Sequence, residues 1–312
     1  MTEFLSIKSE FAVSGNNQSV ADDNDDRNIR SVVFGEDYEF DTWYPCEYYF
    51  SGDDKKKHAG VMVDRLYVCN KCFKYTTVAG TMGLHLISCS SSFMTPGRLA
   101  YQYNDFSIRE VAGDQHKLFC QCLSLFANLF VGTKSVHYTV EKFKFYILIH
   151  HLSAKKEQIV GFFSKEKLSW DDNNLACILI FPPFQGQGLG QMLIEFSYQI
   201  SLLEGKIGSP EKPLSDHGRK SYLLYWKAAI ARALPVLVTE GRVTINKLAS
   251  KTSIKPEDVV EALKNMNALQ QTQPTRDGKV TWSLSSVNVD TWMNSQRIKS
   301  KSLIDVNCII MP

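Results

Sequence analysis

Two sets of residues in this chain have the types and spacing that chemistry requires. The first is Cys69-Asn70-Lys71-Cys72 followed by His85 and Cys89, a C-x2-C-x12-H-x3-C spacing. Three thiols and one imidazole suit tetrahedral zinc. The close pair Cys69 and Cys72 fits a turn between strands, and His85 and Cys89, four residues apart, share one face of a helix. Four protein ligands leave no open position, so the metal is expected to be structural. The alternative is four unrelated buried residues. The other cysteines, Cys46, Cys120, Cys122, Cys177 and Cys308, have no comparable spacing with histidines. The second set is Gly186, Gly188 and Gly190, lying between the apolar run Ala176–Phe181 and the amphipathic run Met192–Tyr198. A strand, a glycine turn and a helix start together make an anion site, because unpaired N–H groups and the helix dipole both favour negative charge there. The spacing is neither G-x-G-x-x-G nor G-K-[ST]. A tight strand–helix turn without a ligand has the same pattern.

The elements that must position these residues are legible in outline. Pro182 and Pro183 end the Ala176–Phe181 strand, since neither has an N–H for a sheet ladder. Upstream, Phe34–Tyr44 alternates aromatic and acidic residues and reads as a strand; Phe106–Glu110 reads as another, followed by a Gly113-Asp114 turn. Apolar residues at helical spacing (Leu118, Cys122, Leu125, Phe126, Leu129, Phe130) predict a helix over Gln115–Val131, with Cys120 and Cys122 in its core. Phe143–Leu152 and Gln158–Phe163 read as a strand pair joined by the charged turn Ser153–Glu157, and Lys165-Glu166-Lys167 as a surface run. Ser215 is placed to cap a helix that starts near His217, carries Tyr222, Tyr225, Trp226 and Ile230, and is broken by Pro235. Thr244–Ala249, Lys255–Met266 and Lys279–Leu284 then read as helix, helix and strand, with Pro256 opening the second helix and Asp277-Gly278 making a hairpin turn. That order resembles a winged helix. Glu257, Asp258 and Glu261 on its second helix repel phosphate, so it is expected to pack or to flank a substrate rather than to read DNA.

Composition excludes several classes. With 312 residues and a net charge of +2, the chain has core enough for about two domains and is no global electrostatic binder of nucleic acid. Spanning a membrane takes a long apolar run, and no run of that length occurs here. Met1–Ala21 lacks a secretory pattern. Eight cysteines without such a pattern point to metal or catalytic roles rather than disulfides. Met1–Arg30, with its acidic patch Asp22–Asp26, reads as a disordered leader; Asp53–His58, containing Lys55-Lys56-Lys57, reads as a solvated loop.

Several separated motifs occur in an order that resembles one family. Gln185-x-x-Gly188-x-Gly190 looks like the acetyl-CoA pyrophosphate loop of acetyltransferases. Together with Phe163–Lys167, Asn174–Leu179 and Gly208-Ser209-Pro210-Glu211-Lys212-Pro213-Leu214-Ser215-Asp216, it closely resembles the MYST histone lysine acetyltransferases, from about Phe34 to about Leu234. The resemblance implies an α+β fold: a GNAT-like mixed-sheet core, an N-terminal C2HC zinc finger lobe and a C-terminal winged-helix-like lobe. The expected divisions are a leader at 1–30, the finger lobe at 31–100, the acetyl-CoA-binding core at 101–235 and the last lobe at 236–312. The finger also resembles a DNA-reading finger apart from its last ligand, but in this family it belongs to the catalytic domain, and strong direct DNA binding is not expected.

The resemblance also assigns roles. Glu211 would be the general base that takes the lysine proton, and Cys177, an ordinarily inert thiol in an apolar strand, would adjoin the thioester as packing or as an acyl carrier. Acetyl-CoA would lie along Ile178, Leu179, Ile180, Gln185, Gly186, Gln187, Gly188, Leu189, Gly190, Gln191 and Ser215. Lys134 matches a lysine that becomes autoacetylated in the family; otherwise it is an exposed loop lysine. Implied partners are a histone tail, that of histone four in the compact silencing-associated yeast branch, or a nucleosome, with accessory subunits of a nuclear complex. One departure stands out: the family usually has Arg or Lys after the loop glutamine, and here Gly186 follows Gln185, so backbone N–H groups from Gln187 to Gln191 must carry more of the pyrophosphate interaction. The alternatives are a small-molecule amine acetyltransferase and a non-catalytic zinc-finger scaffold.

Overall fold

A computed structural model describes residues 27–46, 48, 63–132, 138–153, 156–241, 243–271, 282–296 and 302–310. The acidic patch Asp22–Asp26, the lysines Lys55–Lys57, Lys134 and the Asp277-Gly278 turn lie outside the described residues.

The expected strand over Phe34–Tyr44 is a hairpin instead. Strands β1 (Ile29–Phe34) and β2 (Tyr38–Asp41) pair antiparallel across a turn at 35–37. β1 also pairs in parallel with β3 (Val63–Val68), which turns back into β4 (Tyr75–Thr76). Helix α1 (Ala79–Ser92) follows that small sheet.

The main sheet contains β5 (Arg98–Tyr103), β6 (Phe106–Ala112), β7 (Phe143–Ser153) and β8 (Lys156–Glu166), with helix α2 (Lys117–Asn128) between β6 and β7. After β9 (Asn173–Leu175) comes β10 (Cys177–Ile180), which closes one edge; the order is β10-β8-β7-β6-β5, antiparallel throughout. The strand pair β7 and β8 is longer than the sequence pattern indicates. Lys165 is consequently not part of a surface run: it pairs with Lys144 across the ladder, is 8% exposed, and its ammonium meets both Glu204 oxygens at 2.8 Å. The ladder buries the lysine stem, and the residue that caps the end of a neighbouring helix supplies its counter-charge.

Helix α3 (Leu189–Leu203) leaves the glycine turn, and the short strand β11 (Ser209–Pro210) then pairs in parallel with β9, apart from the main sheet. Helix α4 (Asp216–Thr239) starts where expected, with Ser215 Oγ accepting from Gly218 N at 3.1 Å. It does not break at Pro235. The proline removes one hydrogen bond, but Leu234 and Leu237 are both 3% exposed, and their burial carries the helix past the gap. Beyond it lie α5 (Ile245–Thr252), α6 (Pro256–Asn265), the antiparallel pair β12 (Leu269–Gln271) and β13 (Trp282–Leu284), and α7 (Ser286–Ser295). This is the helix, helix and strand arrangement of the expected winged-helix-like lobe.

Beside a small cluster around Met82 and Leu86 in the finger, two larger buried clusters hold the fold among the described residues. The first surrounds Phe34, which is fully buried and whose ring lies 5.0 Å from Phe126, 5.6 Å from Phe181 and 6.0 Å from Phe73. These partners come from α2, from the end of the β10 run and from the Cys-x2-Cys turn, so one ring joins the finger to the core. The second cluster joins Ile194 and Tyr198 of α3 to Tyr222 and Trp226 of α4 and to Leu248, Val259 and Leu263 beyond. Trp226 Nε1 donates to Tyr198 Oη at 2.7 Å. Burial pushes the Cys120 thiol up to about 12 and raises Cys122 as well, which fits the core role expected for both.

Phe34→Ala removes the ring shared by these elements. Stability is expected to fall by about 3–5 kcal/mol, as for other large-to-small core changes. Urea denaturation of the variant against the parent measures it.

Candidate active site and metal centre

The four candidate metal ligands converge. Cys69 and Cys72 stand on the turn between β3 and β4, and His85 and Cys89 one turn apart on α1. Their ligand atoms all lie within 4.8 Å of one another, with Cys69 Sγ 3.8 Å from Cys89 Sγ and Cys72 Sγ 3.2 Å from His85 Nε2. A tetrahedron with zinc–sulfur bonds of about 2.3 Å has sulfur–sulfur edges of about 3.8 Å. The thiols also compete for ionisation. The Cys72 thiol, ahead of other causes, pulls Cys69 down to about 5, while Cys72 and Cys89 are pushed upward. A dication among them removes that mutual penalty. Donor set, spacing and burial therefore fit structural zinc.

The glycine turn has the geometry of an anion cradle. Pro182–Phe184 form one 3-10 turn after β10, and Gln185 folds back so that its Nε2 donates to Ile180 O at 2.8 Å. Gly186 has φ +75 and Gly188 φ +78, both in the left-handed region, and a Cβ on either would meet no atom within 4 Å. Gly188 is the N-cap of α3, and Gln187 beside it is exposed. Leu189 is buried beneath the turn, and Gln191 Nε2 donates to Ser221 O at 2.8 Å, fastening α3 to α4. The N-terminus of α3, where a helix presents N–H groups that its own turns do not use, thus lies at an exposed turn. Ser215 lies at the other helix start, where its hydroxyl caps α4.

Cys177, Ile178, Leu179 and Ile180 form the edge strand β10. Leu179 and Ile180 are buried; Cys177 and Ile178 are half-buried. An edge strand leaves alternate backbone N–H groups without a strand partner. Strand β9 runs into β10 through Ala176, whose N–H donates to Ser164 O at 2.7 Å, and β11 pairs with β9. Pro210 pairs with Leu175, and Glu211 N donates to Leu175 O at 2.8 Å. Because the pairing is parallel, Glu211 and Cys177 both lie just past the same end of it. The Glu211 residue is exposed.

The loop that bears Glu211 is held from a second side, which the sequence did not reveal. Gly208 N donates to Ser253 O at 2.9 Å and Lys255 N to Gly208 O at 3.2 Å. Asp258 accepts from Ser209 Oγ at 2.6 Å and from Lys212 Nζ at 2.9 Å. Asp258 is 1% exposed, and Glu261 pairs with Arg219 at 2.8 Å. Both acids have intramolecular partners; Asp258 is buried, whereas Glu261 stays partly exposed beside Arg219. Among the described residues, the side-chain oxygen and nitrogen of Asn174 and the Tyr222 hydroxyl are buried without hydrogen-bond partners, which no local sequence signal indicates. Burial, and after it the nearby Cys177, push the Tyr222 hydroxyl well above its ordinary range. Lys134 lies outside the described residues.

Comparison with known proteins covers both halves of the chain. Residues 94–309 match the MOZ/SAS family, and residues 26–89 match the MYST family zinc finger domain. The chain is 39% identical over 259 residues to histone acetyltransferase SAS2 of Saccharomyces cerevisiae, covering 78% of this chain and 76% of that protein. It is 39% identical to histone acetyltransferase MOF of Drosophila melanogaster, again over 78% of this chain but 28% of that protein. Histone acetyltransferase mst2 of Schizosaccharomyces pombe is 38% identical over 78% of this chain and 56% of its own length.

Two outcomes are expected. Purified protein should carry one zinc per chain, and stripping it should unfold the region around α1, since zinc binding supplies on the order of 10 kcal/mol in isolated fingers. Elemental analysis, with circular dichroism before and after chelation, tests this; folded protein without zinc would end the assignment. Gly188→Asp places a side chain and a negative charge on the open face of the α3 N-terminus, so acetyl-CoA binding should be lost while the fold survives. Calorimetric titration showing unaltered acetyl-CoA affinity would count against the cradle.

Proposed function

The chain belongs to the MOZ/SAS, or MYST, family, and from that premise we propose that it transfers acetyl from acetyl-CoA to lysine side chains of histone tails, with Glu211 as the general base. The observation that carries this reading is the tie between Glu211 N and Leu175 O, which brings a carboxylate-bearing loop beside the strand that continues through Cys177 into the glycine turn.

The chemistry follows from the charge on lysine. Its amine has a pKa near 10.4, so less than about 0.1% is unprotonated at neutral pH. A carboxylate that takes the proton as the amine attacks typically contributes about 10²–10⁴-fold. In the proposed step, Glu211 receives the ammonium proton as the amine nitrogen bonds to the thioester carbonyl carbon; the carbon–sulfur bond then breaks, and the departing sulfur takes the second proton from nitrogen, which leaves a neutral amide and the thiol of coenzyme A. Backbone N–H groups of Ile178 to Ile180 on the edge strand would polarise the carbonyl oxygen. The N–H groups at the start of α3, with Gln185, Gly186, Gln187, Gly188, Leu189, Gly190 and Gln191 around them, would hold the pyrophosphate, and Ser215 would contact the same substrate. Direct attack is favoured over an acyl-cysteine route because no histidine near Cys177 in the sequence is placed to activate its thiol.

The relatives are histone acetyltransferases by name, which favours this reading over a small-molecule amine transferase or a silent scaffold. We further propose the tail of histone four as substrate, a nuclear complex with accessory subunits as the setting, and Lys134 as an autoacetylation site. The zinc centre is structural.

Glu211→Gln keeps side-chain size and removes proton affinity. On a histone-tail peptide kcat should fall by about 10²-fold or more at pH 7, with acetyl-CoA binding little changed. The deficit should narrow as pH rises towards the lysine pKa, where free amine needs no base. Cys177→Ala should retain most activity under direct attack and none under the acyl-cysteine route. A Glu211→Gln enzyme running at the parent rate at pH 7 would falsify the assignment.

A further inference from the structure

Asp258 is a buried acid that the reaction does not use. It lies in the first turn of α6, where the helix dipole favours its charge. Burying a carboxylate is costly unless its oxygens are satisfied. Here both are: Oδ2 accepts from Ser209 Oγ at 2.6 Å and Oδ1 from Lys212 Nζ at 2.9 Å. These donors stand two residues before and one residue after Glu211. The Lys212 side chain is 55% exposed. Water would therefore serve its ammonium adequately without Asp258. Released from that partner, a cation adjacent in sequence to Glu211 is free to move towards the Glu211 carboxylate. An ion pair there would lower the proton affinity that a base needs.

Resting on the reading of Glu211 as base, we infer that Asp258 is a positioning residue: it fixes both flanks of Glu211 and keeps the Lys212 ammonium engaged elsewhere. The last lobe thereby sets the geometry of a residue in the acetyl-transfer core. The backbone ties of Gly208 to Ser253 and Lys255 give the coarse placement, and Asp258 gives the side-chain anchorage.

The test is a double-mutant cycle on the full chain, with acetyl-CoA and a histone-tail peptide. Asp258→Asn should lower kcat by about 10–100-fold, the scale of a small misplacement of a catalytic group, with KM for acetyl-CoA close to the parent value. Ser209→Ala removes one anchor while leaving the Lys212–Asp258 ion pair in place, and should lower kcat less, with a melting temperature that falls modestly because Oδ2 loses its donor. In a Glu211→Gln background both changes should have little further effect on kcat, because the group they position no longer acts as a base. Equal losses in both backgrounds, or full kcat in Asp258→Asn, overturn the inference. If Asp258→Asn does not fold, the Ser209→Ala and Glu211→Gln cycle decides by the same criterion. If Glu211→Gln alone runs at the parent rate, the base reading itself fails, which is a separate and recognisable result.

Discussion

The loop from Gly208 to Pro213 cannot order itself, and the arrangement of the site follows from how it is held. Pro210 and Pro213 have no N–H to give, so a short stretch of chain has few donors with which to make regular structure. Its anchors must come from distant segments. Leu175 supplies a carbonyl to Glu211, Ser253 a carbonyl to Gly208, and Gly208 in turn accepts from Lys255. Asp258 takes the two side-chain donors. The loop is thus fastened on one side by a strand of the sheet region and on the other by the segment leading into α6. A carboxylate on an unrestrained loop is a poor base, since positioning is a large part of its effect. Here restraint is provided without covering the residue itself.

That dependence explains why the two buried clusters are joined so firmly. Helix α3 belongs to both. Leu193 and Phe196 pack into the cluster around the main sheet, and Ile194 and Tyr198 into the cluster of the last helices. Its buried Glu195 accepts from Leu303 N at 3.3 Å and from the Ser302 hydroxyl, with Arg232 at 3.8 Å. The chain then returns to the first cluster: Ile304 is buried there, and Ile310 N donates to Ala100 O at 2.8 Å. A helix whose first N–H groups are proposed to hold pyrophosphate is therefore braced along its length by both cores. Movement of either core would be felt at the loop.

Much of this was legible in the sequence because it rests on local signals. C-x2-C and H-x3-C report a turn and a helical face, and the structure brings all four ligand atoms together. Ser215 announces a cap, and the glycines around Gly188 a tight turn between strand and helix. What could not be read depends on contacts across many residues. Pro235 looks like a stop because the lost hydrogen bond is local, whereas the burial of Leu234 and Leu237 that outweighs it is not. Lys165 looks like surface because its counter-ion Glu204 is far along the chain. Asp258 looks in the sequence like a phosphate-repelling charge, yet the sequence also carries a signal of its burial. It shares a helical stripe with Ala262 and Met266, both of them buried. An acid on an apolar stripe needs a partner.

Gly186 shows how backbone and side-chain charge trade against each other in the cradle. The family resemblance leads to the expectation of a cation after the loop glutamine, and Gly186 stands there instead. Its backbone there has φ +75. In that left-handed region a side chain costs roughly 1–2 kcal/mol. Residue and backbone therefore agree, and the loss of a charge is matched by a loop that needs no strain to keep its shape. What remains for an anion is the start of α3, equivalent to about half a positive charge, presented through N–H groups that Gly188 leaves uncovered. Such a site reads the shape of a phosphate more than its charge, because fixed amides have little reach compared with a flexible cation. On the proposed reading, affinity for acetyl-CoA at this turn depends little on ionic strength, since salt screens a long-range attraction between charges far more than it weakens short hydrogen bonds from fixed amides.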